Sequence, residues 1–234
     1  MALNDRPLIA LVPARGGSKG LPRKNLRLLS GQPMLEYTLR AALESRYVDQ
    51  VVLSSDDPEI LDLAGERSIQ RILRPAEAAS DMASADDVVR HLLSVLQPQQ
   101  LEGDPYLMYL QPTSPLRTAA HIDAACAMLH GNEVHTLLSV VEMEKSPYKA
   151  FRVDGGRLQS LFDERLSNAR RQDLPKVYLP NGAIYVFRVS DYRARGGFPS
   201  NGSLPYVMDA ACSIDVDSQA DIERVERALG GRNG

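Results

Sequence analysis

Apolar residues in this chain fall in short runs that alternate with stretches of helical period. Ile9 to Val12 are consecutively apolar, the pattern of a strand buried on both faces. Leu35, Thr38, Leu39, Ala42 and Leu43 then recur at helical spacing, predicting a helix that opens at Gly31-Gln32-Pro33. Val51 to Ser54 reads as a second strand, Asp56-Asp57-Pro58 as the cap of a helix running to about Arg67, and Ile69 to Leu73 as a third strand. A helix from about Ser84 to Leu96, a strand from Tyr106 to Leu110, a helix capped by Thr118 and running to about His130, and a strand from Val134 to Val141 continue the alternation.

From Glu142 to Leu179 that alternation breaks. Charges crowd the segment, and its apolar residues form only short two-period patches, which predicts a β-rich arm. A small sheet of this kind needs a surface to pack against, and a second subunit is the economical candidate. The core pattern returns with a strand at Ala183 to Phe187 and closes with a helix from about Ser218 to Leu229. Strand, helix, strand in repeated succession predicts one α/β domain over residues 1–234, built on a mainly parallel, Rossmann-like sheet.

The 234 residues are enough for one such domain with a full core. A formal charge of -3 argues against binding nucleic acid along its backbone. The chain has only two cysteines, Cys126 and Cys212, each in an apolar run, which fits reduced thiols rather than a disulfide framework. Its N-terminal apolar run is too short for a signal peptide and no run approaches the ~20 residues of a membrane span, so the expected location is the cytoplasm, with no membrane partner.

The chemistry concentrates where strands stop. After Val12 the chain reads PARGGSKGLPRKN, with Arg15, Lys19, Arg23 and Lys24 among Gly16, Gly17, Ser18 and Gly20. Glycine frees backbone N–H groups to face the same small volume as the cations, which suits a polyphosphate. Neither a Walker loop nor a dinucleotide fingerprint fits this order of residues. A second polar turn, QPTSPLR from Gln111 to Arg117, follows the strand that ends at Leu110. Parallel strands present their carboxyl ends on one edge of the sheet, so the two loops can converge on one ligand.

Near the C-terminus, Ser213-Ile214-Asp215-Val216-Asp217 precedes the last helix. If Cys212 to Asp217 is a strand, Asp215 and Asp217 share a face. Two neighbouring carboxylates raise each other's pKa unless a cation lies between them, and magnesium suits hard oxygen ligands beside phosphate. The competing reading makes Asp217 a helix N-cap and Asp215 a solvated edge residue.

Six motifs together, PARGGSKGLPRKN, LRPAE (Leu73 to Glu77), LQPTSPLR (Leu110 to Arg117), RQDLP (Arg171 to Pro175), PNGAIYVF (Pro180 to Phe187) and SIDVD (Ser213 to Asp217), resemble the CMP-sialic acid synthetases in order and spacing across nearly the whole chain. The resemblance implies a Rossmann-like nucleotidyltransferase with a β-rich dimerisation arm at about 142–179, working as a homodimer with Mg²⁺. It implies a cytidylyltransferase that couples CTP to a nine-carbon 2-keto sugar acid, giving the CMP-sugar and pyrophosphate. Arg15, Lys19 and Lys24 would neutralise the triphosphate, with Gly16, Gly17 and Ser18 around it, and Asp215 and Asp217 would hold the metal. Asn25 would meet the ribose, and Arg74 with the Ser84 segment the cytosine. Gln111, Thr113, Ser114 and Tyr185 would line the sugar side, with Lys149 and Arg171 reaching the sugar carboxylate or the phosphates.

Two positions depart from the family pattern. Ala85 replaces a serine, and Leu179 stands where N-acetylneuraminate enzymes commonly carry arginine before PNGAIY. The loss of a cation at Leu179 bears on which sugar acid is accepted; the substrate the resemblance implies is an N-acylneuraminate, with N,N'-diacetyllegionaminate as the alternative. Eight-carbon octulosonate enzymes rank lower because their first loop differs, and pseudaminate enzymes because they typically lack PNGAIY. A catalytically silent nucleotide-binding protein is the remaining alternative.

Overall fold

The computed structural model describes residues 1–17, 20–75, 77 and 83–231. In chain order the elements are β1 (Leu8–Pro13), the two-residue strands β2 (Leu28–Leu29) and β3 (Gln32–Pro33), α1 (Met34–Leu43), β4 (Gln50–Ser55), α2 (Pro58–Asp62) and β5 (Ile69–Leu73). There follow α3 (Ala85–Val95), β6 (Tyr106–Tyr109), α4 (Ala119–Leu129), β7 (Leu137–Glu142), β8 (Phe151–Asp154), β9 (Arg157–Ser160) and α5 (Glu164–Ser167). The last elements are β10 (Tyr178–Arg188), α6 (Val189–Arg195), β11 (Leu204–Val207) and α7 (Gln219–Gly230).

Seven strands form one sheet in the order β11-β7-β10-β6-β1-β4-β5. β1 runs parallel to β4 and β6, β4 to β5, and β11 to β7. β10 is antiparallel to both its neighbours, so it alone points the other way in a mainly parallel sheet.

Both faces of the sheet are covered, which is why β1 reads as continuous apolar sequence. Leu8, Ala10 and Val12 pack with Leu35 and Leu39 of α1 and Ile122 and Cys126 of α4. Ile9 and Leu11 face the opposite side, with Val88, Val89 and Leu92 of α3. Each fully buried Leu, Ile or Val among them contributes about 1.5 to 3 kcal/mol of transfer free energy. A third apolar cluster seats α7, through Ile222 and Val225, against Leu21, Leu29, Met34 and Val216. Both cysteines are free, and burial pushes the Cys126 thiol up to about 12.

Several expected elements shift. Gln32 and Pro33 pair with Leu28 and Leu29 instead of opening the helix, so α1 starts at Met34. The helix capped by Asp57 stops at Asp62, because the chain turns ahead of Gly65, which adopts φ +56. The strand expected from Val134 begins at Leu137. Cys212 to Asp217 is not a strand: Cys212 ends a short 3-10 turn, and residues 213–217 run outside the sheet. The eb-and-flow of burial expected of a strand survives there all the same, with Val216 buried and Asp215 and Asp217 exposed on either side.

The arm contains the hairpin of β8 with β9 and the single-turn α5. Its last residues, Tyr178 and Leu179, belong to β10 and to the main sheet.

Candidate active site

Three loops meet beyond the carboxyl ends of β1 and β6. The first begins where Ala14 N donates to Ser54 O, carrying the chain off β1 alongside β4. Asp56 Oδ1 then accepts from Gly16 N at 3.0 Å, and the Asp57 side chain lies so close that a Cβ at Gly16 would meet it at 2.8 Å. Asn25 is buried and donates to Arg15 O at 2.9 Å, folding the far end of the loop back on its start.

Lys24 carries the loop to the third segment. Its Nζ lies 2.8 Å from Asp217 Oδ1 and 2.8 Å from Val216 O. Gly20 also abuts this segment, since a Cβ there would come within 3.0 Å of Asp217 O. The second loop closes the arrangement: Val216 N donates to Thr113 O at 2.9 Å, and the Thr113 hydroxyl hydrogen-bonds the Asp215 carboxylate. Val216 is the plug that makes this possible. Its side chain is wholly buried in the α7 cluster, which leaves both flanking carboxylates facing outward.

Burial first, and the neighbouring Asp217 charge among the smaller causes, raise the Asp215 carboxyl above its usual range despite its opening to solvent. A cation placed there would relieve both. Among the described residues no group of three or more His, Cys, Asp and Glu side chains is arranged to hold a metal. Two carboxylates that leave the remaining positions to water and phosphate oxygens are nonetheless a donor set that Mg²⁺ accepts. The N-cap of α7 is Ser218, so Asp217 is not consumed as the helix cap.

The sugar-side candidates gather around a bulge in β10. Pro180 pairs with Val140 and Tyr185 with Leu138, so extra residues are looped out between them. Gly182 sits in this bulge at φ +77, and a Cβ there would lie 2.2 Å from Gln111 Oε1. Glycine is required both for the backbone conformation and for the close passage of Gln111. Ser114 Oγ contacts Asn181 O at 3.4 Å. Asn181 Nδ2 donates to Ser213 Oγ at 2.9 Å, joining the bulge to the carboxylate segment. Tyr185 packs edge-on against Tyr109 and Phe198, and burial, followed by the Asp215 charge, raises its hydroxyl pKa.

Arg74 is buried where β5 ends, its N–H donating to Ser55 O at 2.7 Å. Burial lowers its pKa, nearby Asp56 opposes that, and Arg15 is close enough to add to it. Ser84 is engaged as the N-cap of α3, its hydroxyl accepting from Asp87 N and donating to the Asp87 carboxylate. Lys149 and Arg171 are brought together around a cavity of about 680 Å³ in the arm, and its lining all comes from Met143 to Leu174. Ser18 and Lys19 lie outside the described residues.

Sequence reading missed two contributors. Asp56 passed as a helix cap because acidic residues before proline ordinarily are, although two in succession at a strand end is one more than a cap needs. Asn181 and its link to Ser213 left no local signal, because the partners are far apart in sequence.

A model of the family described as cytidylyltransferase matches residues 9–214. The chain belongs to the cytidylyltransferase family. An N-acylneuraminate cytidylyltransferase from Streptococcus agalactiae is 34% identical over 93% of the chain, and the match covers 52% of that relative. The chain spans about half the length of the first curated relatives it matches. A pseudaminic acid cytidylyltransferase from Campylobacter jejuni is 31% identical over 92% of this chain and 93% of its own. Among solved structures, a CMP:2-keto-3-deoxy-manno-octonic acid synthetase complexed with CTP superposes with a TM-score of 0.70 at 18% identity, covering 97% of this chain and 99% of that one. At that identity the likeness is one of fold, and it agrees with the Rossmann-like nucleotidyltransferase architecture.

Proposed function

We propose that this cytidylyltransferase couples CTP to a nine-carbon 2-keto sugar acid, releasing pyrophosphate. The observation that carries the reading is the convergence of three loops through Lys24 on Asp217 and Thr113 on Val216. These contacts tie the Lys24 end of the cationic loop, the Asp215 to Asp217 segment and the Gln111 to Arg117 turn to one another, which supports a ligand site shared by all three. The reaction is attack of the sugar's anomeric C2 hydroxyl on the α-phosphorus of CTP, with pyrophosphate leaving.

Arg15, Lys19 and Lys24 neutralise the triphosphate and the charge that builds on the transferring phosphoryl group. The backbone around Gly16, Gly17 and Ser18 receives phosphate oxygens, Asn25 the ribose, and Arg74 with the Ser84 segment the cytosine. Gln111, Thr113, Ser114 and Tyr185 orient the sugar, while Lys149 and Arg171 pair with its carboxylate or with phosphates. Mg²⁺, held by Asp215 and Asp217, would supply further charge stabilisation when bound. The exposed apolar residues of the arm, Val153 (73% exposed) and Leu158 (71%) among them, support a homodimer in which they are covered. No helix among the described residues is long and apolar enough to cross a membrane, and a cytoplasmic site of action completes the proposal.

Within the nine-carbon class, the reading keeps N-acylneuraminate first and legionaminate as the alternative. The pseudaminic acid relative matches over 92% of this chain and 93% of its own length, so pseudaminate belongs among the acids to be tested. The test is pyrophosphate release from CTP and Mg²⁺ with N-acetylneuraminate, N,N'-diacetyllegionaminate, pseudaminate and 3-deoxy-octulosonate supplied separately. Release with one nine-carbon acid alone names the substrate. Release only with the eight-carbon acid, or with none while CTP still binds, defeats the proposal.

A further inference from the structure

Among the described residues Arg117 is the largest wholly buried side chain, 1% exposed, and it belongs to the QPTSPLR turn without any role assigned above. Its Nε donates to Ala183 O at 3.0 Å, and its Nη2 donates to Gln111 O at 2.9 Å and to Thr38 Oγ1 at 2.8 Å. The first two acceptors are main-chain carbonyls on the two strips of chain that form the sugar side: the start of the turn and the β10 bulge. The third ties both to α1. All three acceptors are neutral, and among the described residues Nη1 has no hydrogen-bond partner.

A cation buried in this way is costly, and burial brings its pKa down to about 9. Apolar side chains of similar volume commonly serve stability as well or better than buried charge. The arginine is therefore better explained by geometry. A planar fork carries donors in fixed directions, which holds two separate carbonyls at a set distance from each other. That distance governs how Gln111 passes over Gly182, where space is already limiting.

We propose that Arg117 is a positioning residue for sugar-acid recognition, fixing the Gln111 turn against the β10 bulge. The inference deepens the functional reading above and rests on it. The CTP side does not share this fork: Arg15 and Gly16 are held by Asn25 and Asp56.

The experiment compares wild type with Arg117→Lys, which keeps the charge and loses the fork, and with Thr38→Val, which removes a single acceptor. Steady-state constants for each substrate are read beside CTP affinity by calorimetry and hydrogen exchange of the intact protein. For Arg117→Lys the expected result is a rise in KM for the sugar acid of about tenfold or more, the scale on which small displacements of positioning groups act. CTP affinity stays within about twofold, and exchange rises in segments 110–117 and 180–185 but not in 8–17. Thr38→Val moves the same quantities in the same direction by less, and serves if the lysine variant does not fold. Equal losses toward both substrates, or an unchanged sugar-acid KM, would overturn the inference. Inactivity of the wild type with every sugar acid strikes the functional reading instead, and the exchange pattern then decides on the fork: unchanged exchange at 110–117 and 180–185 overturns it.

Discussion

Lys24 Nζ bridges Asp217 Oδ1 and Val216 O, at 2.8 Å each, although 192 residues separate Lys24 from Val216. The lysine side chain is 15% exposed and the aspartate 75%, so the cation is the sheltered partner. In the proposed reaction the phosphates would compete with Asp217 for Lys24, and Mg²⁺ would compete with Lys24 for Asp217, so this pair would loosen when the substrates bind. Asp217→Asn is expected to lower kcat by roughly 10²-fold or more, the scale of losing a group that stabilises transition-state charge, with the fold intact. Turnover near the wild-type value at saturating Mg²⁺, beside an unchanged circular dichroism spectrum, would remove Asp217 from the mechanism.

Gly182 offers a second test. An alanine there must adopt φ +77 and meet Gln111 Oε1 at 2.2 Å. Gly182→Ala is expected to cost about 1 to 2 kcal/mol from backbone strain alone and to raise the sugar-acid KM by displacing Gln111. Urea unfolding and steady-state kinetics read the two effects separately. Wild-type stability would mean that the bulge relaxes without cost.

Ser84 separates structure from ligand contact. Its capping box on α3 predicts that Ser84→Ala loses about 1 kcal/mol of stability. CTP affinity should change little if the cap is the hydroxyl's main task. A drop in CTP affinity of tenfold, with stability preserved, would reverse that assignment and give the hydroxyl to the base.

The arm supplies a test of assembly. Leu158 is so exposed that Leu158→Asp should alter the stability of one subunit by no more than about 0.5 kcal/mol. If a second copy covers the arm, the substitution should convert a dimer into a monomer in light scattering. A wild-type protein that is already monomeric at working concentration would exclude the homodimer.

Acid sensitivity should trace in part to Asp123 at the junction of α1 and α4. Burial tends to raise this carboxyl, but hydrogen bonds from Ser45 and Arg46 outweigh it and hold it below the usual range. The folded-state pKa is thus depressed relative to an unfolded value of about 3.9. The contribution is therefore complete above about pH 4 and is lost as pH falls through the folded value. Asp123→Asn should lower the melting temperature at pH 7 and lower it less at a pH below the folded value. An equal loss at both pH values would show that the charge is not what matters.

The sheet was legible because its strands are apolar on both faces and its helices carry clear stripes. The first candidate loop was legible because glycine and cations crowd one strand end. Less visible were the features set by distant partners. The extended run at Asp215 owes its alternation to Val216 sinking into the α7 cluster rather than to strand pairing, and burial pattern alone does not distinguish the two. β11 (Leu204–Val207) has only four residues and alternates partly buried with exposed positions, too weak a pattern to announce an edge strand. Arg117 looked like one more charge at a turn, and only its burial separates it from a solvated one.

The reversed strand β10 also bears on how the chain acquires its shape. β7 and β11 reach the rest of the sheet only through β10, which arrives late in the sequence. During synthesis the strands up to β6 can pair among themselves, whereas β7 waits for residues 178–188 before it has a place in the sheet. Pairings this distant slow folding, because the intervening chain must close before any contact rewards it. The half built on β1, β4, β5 and β6 should therefore mature first, and the interval before β7, β10 and β11 join it is when the apolar face of β7 is most open to aggregation.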